Sequence, residues 1–312
     1  MVQMKATRDA FGETLVELGR KNRKIVVLSG DLEDSTRAEY FKKEFPERFF
    51  NLGIAEQDIL GTAVGLSLDG LIPFACSFAV FLTNQAYGVL RISICYNKRN
   101  VKVIGSHAGL TVGADGATAQ CLEDFAITRV LPNIITISPV DAIETEKATR
   151  AMVDICGPVY MRLGRAPFPI ITKDSDPFVV GKANILREGK DLTIVATGLL
   201  VSESLKAADV LAKENIETRV INMHTIKPID QEAIIQAAKE TKAIVTAEEH
   251  QINGGLGSAV AEVLGKNVPV PVEMVAVNDT FGESGDEEGL LKKYHLKDVD
   301  IVDAARQVLK RK

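Results

Sequence analysis

A chain of 312 residues exceeds the roughly 100–200 residues of a typical domain, so two domains are expected. Hydrophobic residues make up 46% and charged residues 25%, the proportions of a folded globular protein, which excludes disordered and fibrous classes. Lys and Arg number 37 against 42 Asp and Glu, a net charge of −5 with no basic block, so neither nucleic acid nor an anionic membrane surface is an expected partner.

In chain order, the N-terminal MVQMKATRDAFGETL has no apolar stretch suited to a signal peptide. No run of about 18 apolar residues occurs anywhere, and the expectation is a cytoplasmic protein without a membrane span. Short β-branched runs follow at residues 24–30 (KIVVLSG), 71–78 (LIPFACSF), 101–107 (VKVIGSH), 133–139 (NIITISP) and 158–164 (PVYMRLG). They alternate with stretches of helical apolar spacing such as DAIETEKATRAMVDI, a pattern that implies a parallel sheet covered by helices. The proline-rich, aperiodic APFPIITKDSDPF then reads as a linker, with a boundary near Asp174. The alternation restarts with LTIVATGLL, VSESLKAADVLAKEN, TRVINMHTI, DQEAIIQAAKET and KAIVTAEEH and closes on the helical DIVDAARQVLKRK. The fold class is therefore α/β, with domains expected over residues 1–173 and 174–312. Cys76, Cys95, Cys121 and Cys156 lack CxxC spacing and read as buried free thiols.

Several polar residues stand out against this apolar frame. In NLGIAEQDILGTAVGLSLDG, Glu56 sits among apolar and glycine neighbours; a carboxylate there can hold or share a proton, or simply cap a helix. Phe78 and Phe81 in CSFAVFLTNQAYGVLRI have a spacing that suits one helix face, as a ring-stacking pair or as core. His107 and Asp115 lie in a glycine-rich loop after a strand, where α/β sheets bind ligands, although a lone His is often structural. Arg8, Ser35 and Arg165 could anchor a phosphate or be solvated surface groups, and Arg162 could join them or form a structural ion pair. The glycines of HQINGGLGSAVAEVL resemble a phosphate loop but lack its lysine and read as structural, while His224 and His250 have no assigned role.

These motifs, in this order over essentially the whole chain, resemble the pyrimidine-binding, C-terminal half of a split transketolase. The resemblance implies a thiamine-diphosphate fold for the first domain and a transketolase C-terminal domain for the second. It assigns Glu56 to the glutamate that hydrogen-bonds the aminopyrimidine ring nitrogen, so that the exocyclic nitrogen can take the thiazolium proton. Phe78 and Phe81 fall on positions that stack the pyrimidine, with Tyr87 nearby, and Asp31 on an aspartate beside the thiazolium. His107, also carried over as catalytic, joins Arg8, Ser35, Asp115 and Arg165 around sugar phosphate. One departure is Ala119, within Thr118-Ala119-Gln120, where the family usually carries a histidine.

The resemblance also implies a partner. The Gly-Asp-Gly and Asn that hold the diphosphate and Mg²⁺ in this family have no counterpart here, so no metal ligands are expected on this chain. An N-terminal transketolase subunit is expected to supply them, as the other half of an α2β2 assembly with a homodimeric core, acting on sugar phosphates. Rival readings are a deoxyxylulose-phosphate-synthase-like enzyme, a 2-oxoacid dehydrogenase β subunit, or a non-catalytic regulatory subunit.

Overall fold

A computed structural model describes residues 3–312. The first half contributes strands β1 (Met4–Ala6), β2 (Ile25–Ser29), β3 (Phe49–Asn51), β4 (Ile72–Phe78), β5 (Lys102–Ser106), β6 (Ile135–Ile137), β7 (Val159–Arg162) and β8 (Pro167–Pro169). The second half contributes β9 (Asn184–Arg187), β10 (Leu192–Ala196), β11 (Thr218–Asn222), β12 (Thr225–Lys227), β13 (Ile244–Gln251) and β14 (Val272–Val277).

The larger sheet runs β12-β6-β7-β5-β4-β2-β3 and is parallel from β6 to β3. Its central strands are apolar at nearly every position because both faces are covered. Neighbouring residues point to opposite faces. Val27 and Phe74 join Phe11, Leu15 and Met152 from helices Thr7–Lys21 and Ala142–Asp154, while Leu28 and Ala75 join Ile59, Leu60 and Leu82 on the other side. Burying each large apolar side chain contributes roughly 1.5–3 kcal/mol, which is what holds the helices against the sheet. The smaller sheet runs β14-β13-β10-β11-β9, parallel except for β9, with helices on both faces.

The stretch read as a linker begins with β8, and its remainder, between β8 and β9, is tied back by the buried Asp141 carboxylate, which accepts from the Ile171 and Thr172 N–H groups at 2.8 and 2.7 Å. The two halves are nevertheless interlocked. TRVINMHTI, which reads as one strand, splits into β11 of the smaller sheet and β12, which pairs antiparallel with β6 of the larger sheet. Asn222 at the end of β11 also donates to buried Glu144 at 2.7 Å, across from the first half.

Cys76, Cys95 and Cys121 are buried, but Cys156 is exposed, in the loop that ends helix Ala142–Asp154. That corrects its expected burial, since the helix has already left the sheet there. Among the described residues no helix is long and apolar enough to cross a membrane.

Candidate active site at the strand ends

The residues singled out in the first half gather at the C-terminal ends of the parallel strands, the edge at which α/β sheets bind ligands. Asp31 follows β2, Glu56 opens the helix after β3, Phe78 ends β4 and His107 follows β5. Arg8 and Arg165 are brought there by the antiparallel ribbon of β1 and β8. It pairs Ala6 with Pro167, so that each arginine lies two residues beyond the same end of the ribbon.

One Arg8 nitrogen donates to the Ser35 carbonyl at 2.8 Å and lies 3.5 Å from His107 Nε2. Arg165 donates to the Val112 carbonyl at 2.6 Å. Both cations are thus held by neutral carbonyls, and neither forms an ion pair among the described residues. His107 sits at φ +56°, its ring stacked on Phe78 at 4.0 Å and 16°, with Nδ1 2.9 Å from the Ser106 hydroxyl. Burial, then the Arg8, Arg165 and Arg37 charges, push its pKa down to about 3. Its imidazole is neutral at physiological pH and adds no third positive charge; with Nδ1 taken by Ser106, Nε2 is the nitrogen left to meet a ligand.

Glu56 is the first residue of helix Glu56–Leu68 and is 4% exposed. Its Oε1 accepts from the Ser77 hydroxyl at 3.0 Å, and Oε2 has no hydrogen-bond partner among the described residues. Phe78 and Phe81 are stacked, 5.6 Å apart and within 12° of parallel. They do not share a helix face as their spacing suggested: Phe78 ends a strand, and Phe81 opens a wide helical turn over Phe81–Gln85. The strand-to-helix corner brings the rings together instead. Ala119 packs here with Phe78 and Val112, adding a methyl where an imidazole was expected. A buried carboxylate with a free oxygen, bonded to the serine that precedes Phe78, and a pair of parallel phenyl rings at the same strand end are the groups that suit a flat heteroaromatic ring carrying a donor nitrogen. Among the described residues no group of three or more His, Cys, Asp or Glu could hold a metal ion.

Asp31, at φ +58°, is held by Asn51, which donates to its carboxylate at 2.7 Å and accepts from its N–H at 3.1 Å. Asp115 is exposed on the His107 loop and forms no hydrogen bond or ion pair with the others among the described residues. Tyr87 packs against the Leu60 and Leu90 core rather than the phenyl pair. Arg162 is a structural ion-pair partner: it is buried, 3.4 Å from Asp124, and lies over Phe125. The Gly254–Gly257 turn is filled from within, because the Glu248 carboxylate accepts from Leu256 and Gly257 N–H at 2.7 Å each. His224 stacks on Phe178 and His250 on Phe125, both buried. Sequence reasoning missed Ser77, which orients Glu56, and Arg37, which adds charge near His107 while paired to Asp9 at 2.6 Å. A lone serine in the apolar run of β4 was a signal for the first; nothing local marked the second.

Two family models match the chain: transketolase, pyrimidine binding domain, over residues 3–169, and transketolase, C-terminal domain, over residues 181–301. A putative transketolase C-terminal section from Methanocaldococcus jannaschii is 44% identical over 98% of this chain and 97% of that protein. A 6-deoxy-6-sulfo-D-fructose transketolase subunit from Clostridium sp. strain MSTE9 is 41% identical over 98% of this chain and 95% of its own length. Among solved structures, a split-gene transketolase described as an inactive β4 tetramer superposes with a TM-score of 0.93, at 50% identity over 98% of this chain and 99% of that one. The chain therefore belongs to the transketolase family and carries its pyrimidine-binding and C-terminal domains.

Proposed function

We propose that this chain is the pyrimidine-binding subunit of a split transketolase, which transfers a two-carbon ketol unit between sugar phosphates once joined to a separate N-terminal subunit. The observation that carries the reading is the pairing of buried Glu56, with one oxygen free, and the stacked Phe78 and Phe81 beside an arginine pair lacking carboxylate partners. Thiamine diphosphate, when bound, supplies the carbon nucleophile that accepts and releases the two-carbon unit.

The chain's own groups have distinct tasks. Glu56 accepts a hydrogen bond from the pyrimidine ring nitrogen and, with Ser77 fixing one oxygen, holds that proton at its carboxylate. Phe78 and Phe81 take the ring face and exclude water, while Asp31 contributes negative charge nearby. Arg8 and Arg165 bind the phosphate oxygens by charge-assisted hydrogen bonds, with Ser35 at the same edge. Neutral His107 binds a substrate oxygen, and Asp115 a substrate hydroxyl. Mg²⁺ and the diphosphate are held by the partner subunit, in an assembly with two copies of each half. The description of the 50%-identical β4 tetramer as inactive supports a need for that partner.

The test is ketol transfer from xylulose 5-phosphate to ribose 5-phosphate with thiamine diphosphate and Mg²⁺. Activity is expected in the mixture with the N-terminal subunit and not with this chain alone. A verified complex that is inactive with these and other sugar phosphates would overturn the reading.

A further inference from the structure

The loop that carries His107 and Asp115 does not depend on its own domain alone. Glu249 near the end of β13, in the second half of the chain, is buried, and its Oε1 accepts from the Thr111 N–H at 2.6 Å, across 138 residues of sequence. The loop is shaped to receive it. Gly109 has φ +88°, and a Cβ there would collide with the Glu249 carboxylate, so only glycine lets the backbone lie against that group. Glu249 is itself fixed, because its carbonyl accepts from Arg162 at 2.6 Å, and Arg162 is locked to Asp124 and Phe125.

The loop is pinned on either side of this bond by contacts of another kind. Arg165 holds the Val112 carbonyl, and Gln120 donates to the Leu110 carbonyl at 3.2 Å and to the Glu283 carbonyl at 2.9 Å. The Glu249 bond is the one that meets a loop N–H with a side-chain carboxyl oxygen, and it lies four residues from His107; burial raises the pKa of that carboxyl, while Arg162 and the Thr111 N–H act to lower it. Thr111 is itself buried, so losing this bond leaves its N–H without an acceptor in a dry contact, the costly case for a hydrogen bond.

We propose that Glu249 is a positioning residue: the second domain sets the conformation of the 107–116 loop, and through it the placement of His107 and Asp115 against the sugar. This rests on the proposed function for the identity of the substrate, but not for the coupling itself. Small displacements of positioned groups have large effects on productive binding.

The test compares Glu249→Ala and Glu249→Gln, the second of which keeps an acceptor oxygen of nearly the same size and position. In the assembled complex, Glu249→Ala is expected to raise KM for the sugar phosphates roughly 10- to 100-fold while changing kcat much less, and Glu249→Gln to restore most of the loss. In the full chain without substrate, hydrogen exchange at residues 107–116 is expected to quicken in Glu249→Ala and to stay near wild type in Glu249→Gln. Unchanged exchange in that loop together with unchanged KM would overturn the proposal. Uniformly faster exchange throughout both variants would also overturn it, by making Glu249 a residue of general stability. If the wild-type complex transfers no ketol unit, the functional reading fails, and the loop exchange alone still decides whether Glu249 holds the loop.

Discussion

The chain contains two places built to attract an anion, and they differ in where the counter-charge comes from. At the Gly254–Gly257 turn, the Leu256 and Gly257 N–H groups that open helix Leu256–Asn267 are taken by the molecule's own Glu248 carboxylate, so the place an anion would occupy there is already filled. At the strand ends, Arg8 and Arg165 are oriented by the carbonyls of Ser35 and Val112, which fix their geometry without cancelling their charge. A glycine-rich loop or an arginine is therefore weak evidence of a site until its internal partners are known. Arg162 makes the same point from the other side, being spent on Asp124.

This contrast can be broken by mutation. Arg165→Ala or Arg8→Ala should raise KM for a phosphorylated acceptor by roughly 10- to 100-fold, the value of a charge-assisted hydrogen bond of about 1.5–3 kcal/mol, and should leave a small unphosphorylated aldehyde nearly unaffected. Equal losses for both acceptors in steady-state assays would show that the arginines do not bind phosphate. Glu248→Ala should do the opposite, lowering stability in denaturant unfolding by about 1–3 kcal/mol with no effect on KM. A KM change without destabilisation would make that turn a ligand site after all.

The mildest expected effect concerns His107. Its folded pKa of about 3 lies below the ordinary 6.5, so its contribution to stability is complete above that value and is lost as pH falls from 6.5 toward 3. Its ring resonances should accordingly show no titration between pH 8 and 5 by NMR. Arg165→Ala should move the pKa upward, since that charge is one cause of the depression. A normal titration near 6.5 in the wild type would mean that the imidazole is more solvated than its 2% exposure implies.

Much of this architecture was legible in the sequence, because short, β-branched, mostly apolar runs at β2, β4, β5 and β10, alternating with stretches of helical spacing, suit strands covered on both faces. Ordering the larger sheet was harder. The departure of β12 into it depends on pairing with β6, some ninety residues away, and leaves no periodic trace. At the site, residue identity alone left Glu56, His107, Arg8 and Arg165 open between ligand-binding and structural or surface roles, and it was the family resemblance that grouped them. Spacing misled for Phe78 and Phe81, because a strand end and a helix start can place rings together without sharing a helix face. Ser77, Arg37 and Glu249 escaped notice because each acts through a partner distant in sequence, at Glu56, Asp9 and Thr111.

The most direct test of the whole account is kcat for ketol transfer by the assembled complex carrying Glu56→Gln, measured at saturating thiamine diphosphate and Mg²⁺. The account predicts a fall of about 10²- to 10⁴-fold with the complex intact, the usual loss when an acid-base group is removed. A rate equal to wild type would contradict the placement of the cofactor's pyrimidine against Glu56 and, with it, the assignment of this chain as the catalytic pyrimidine-binding half.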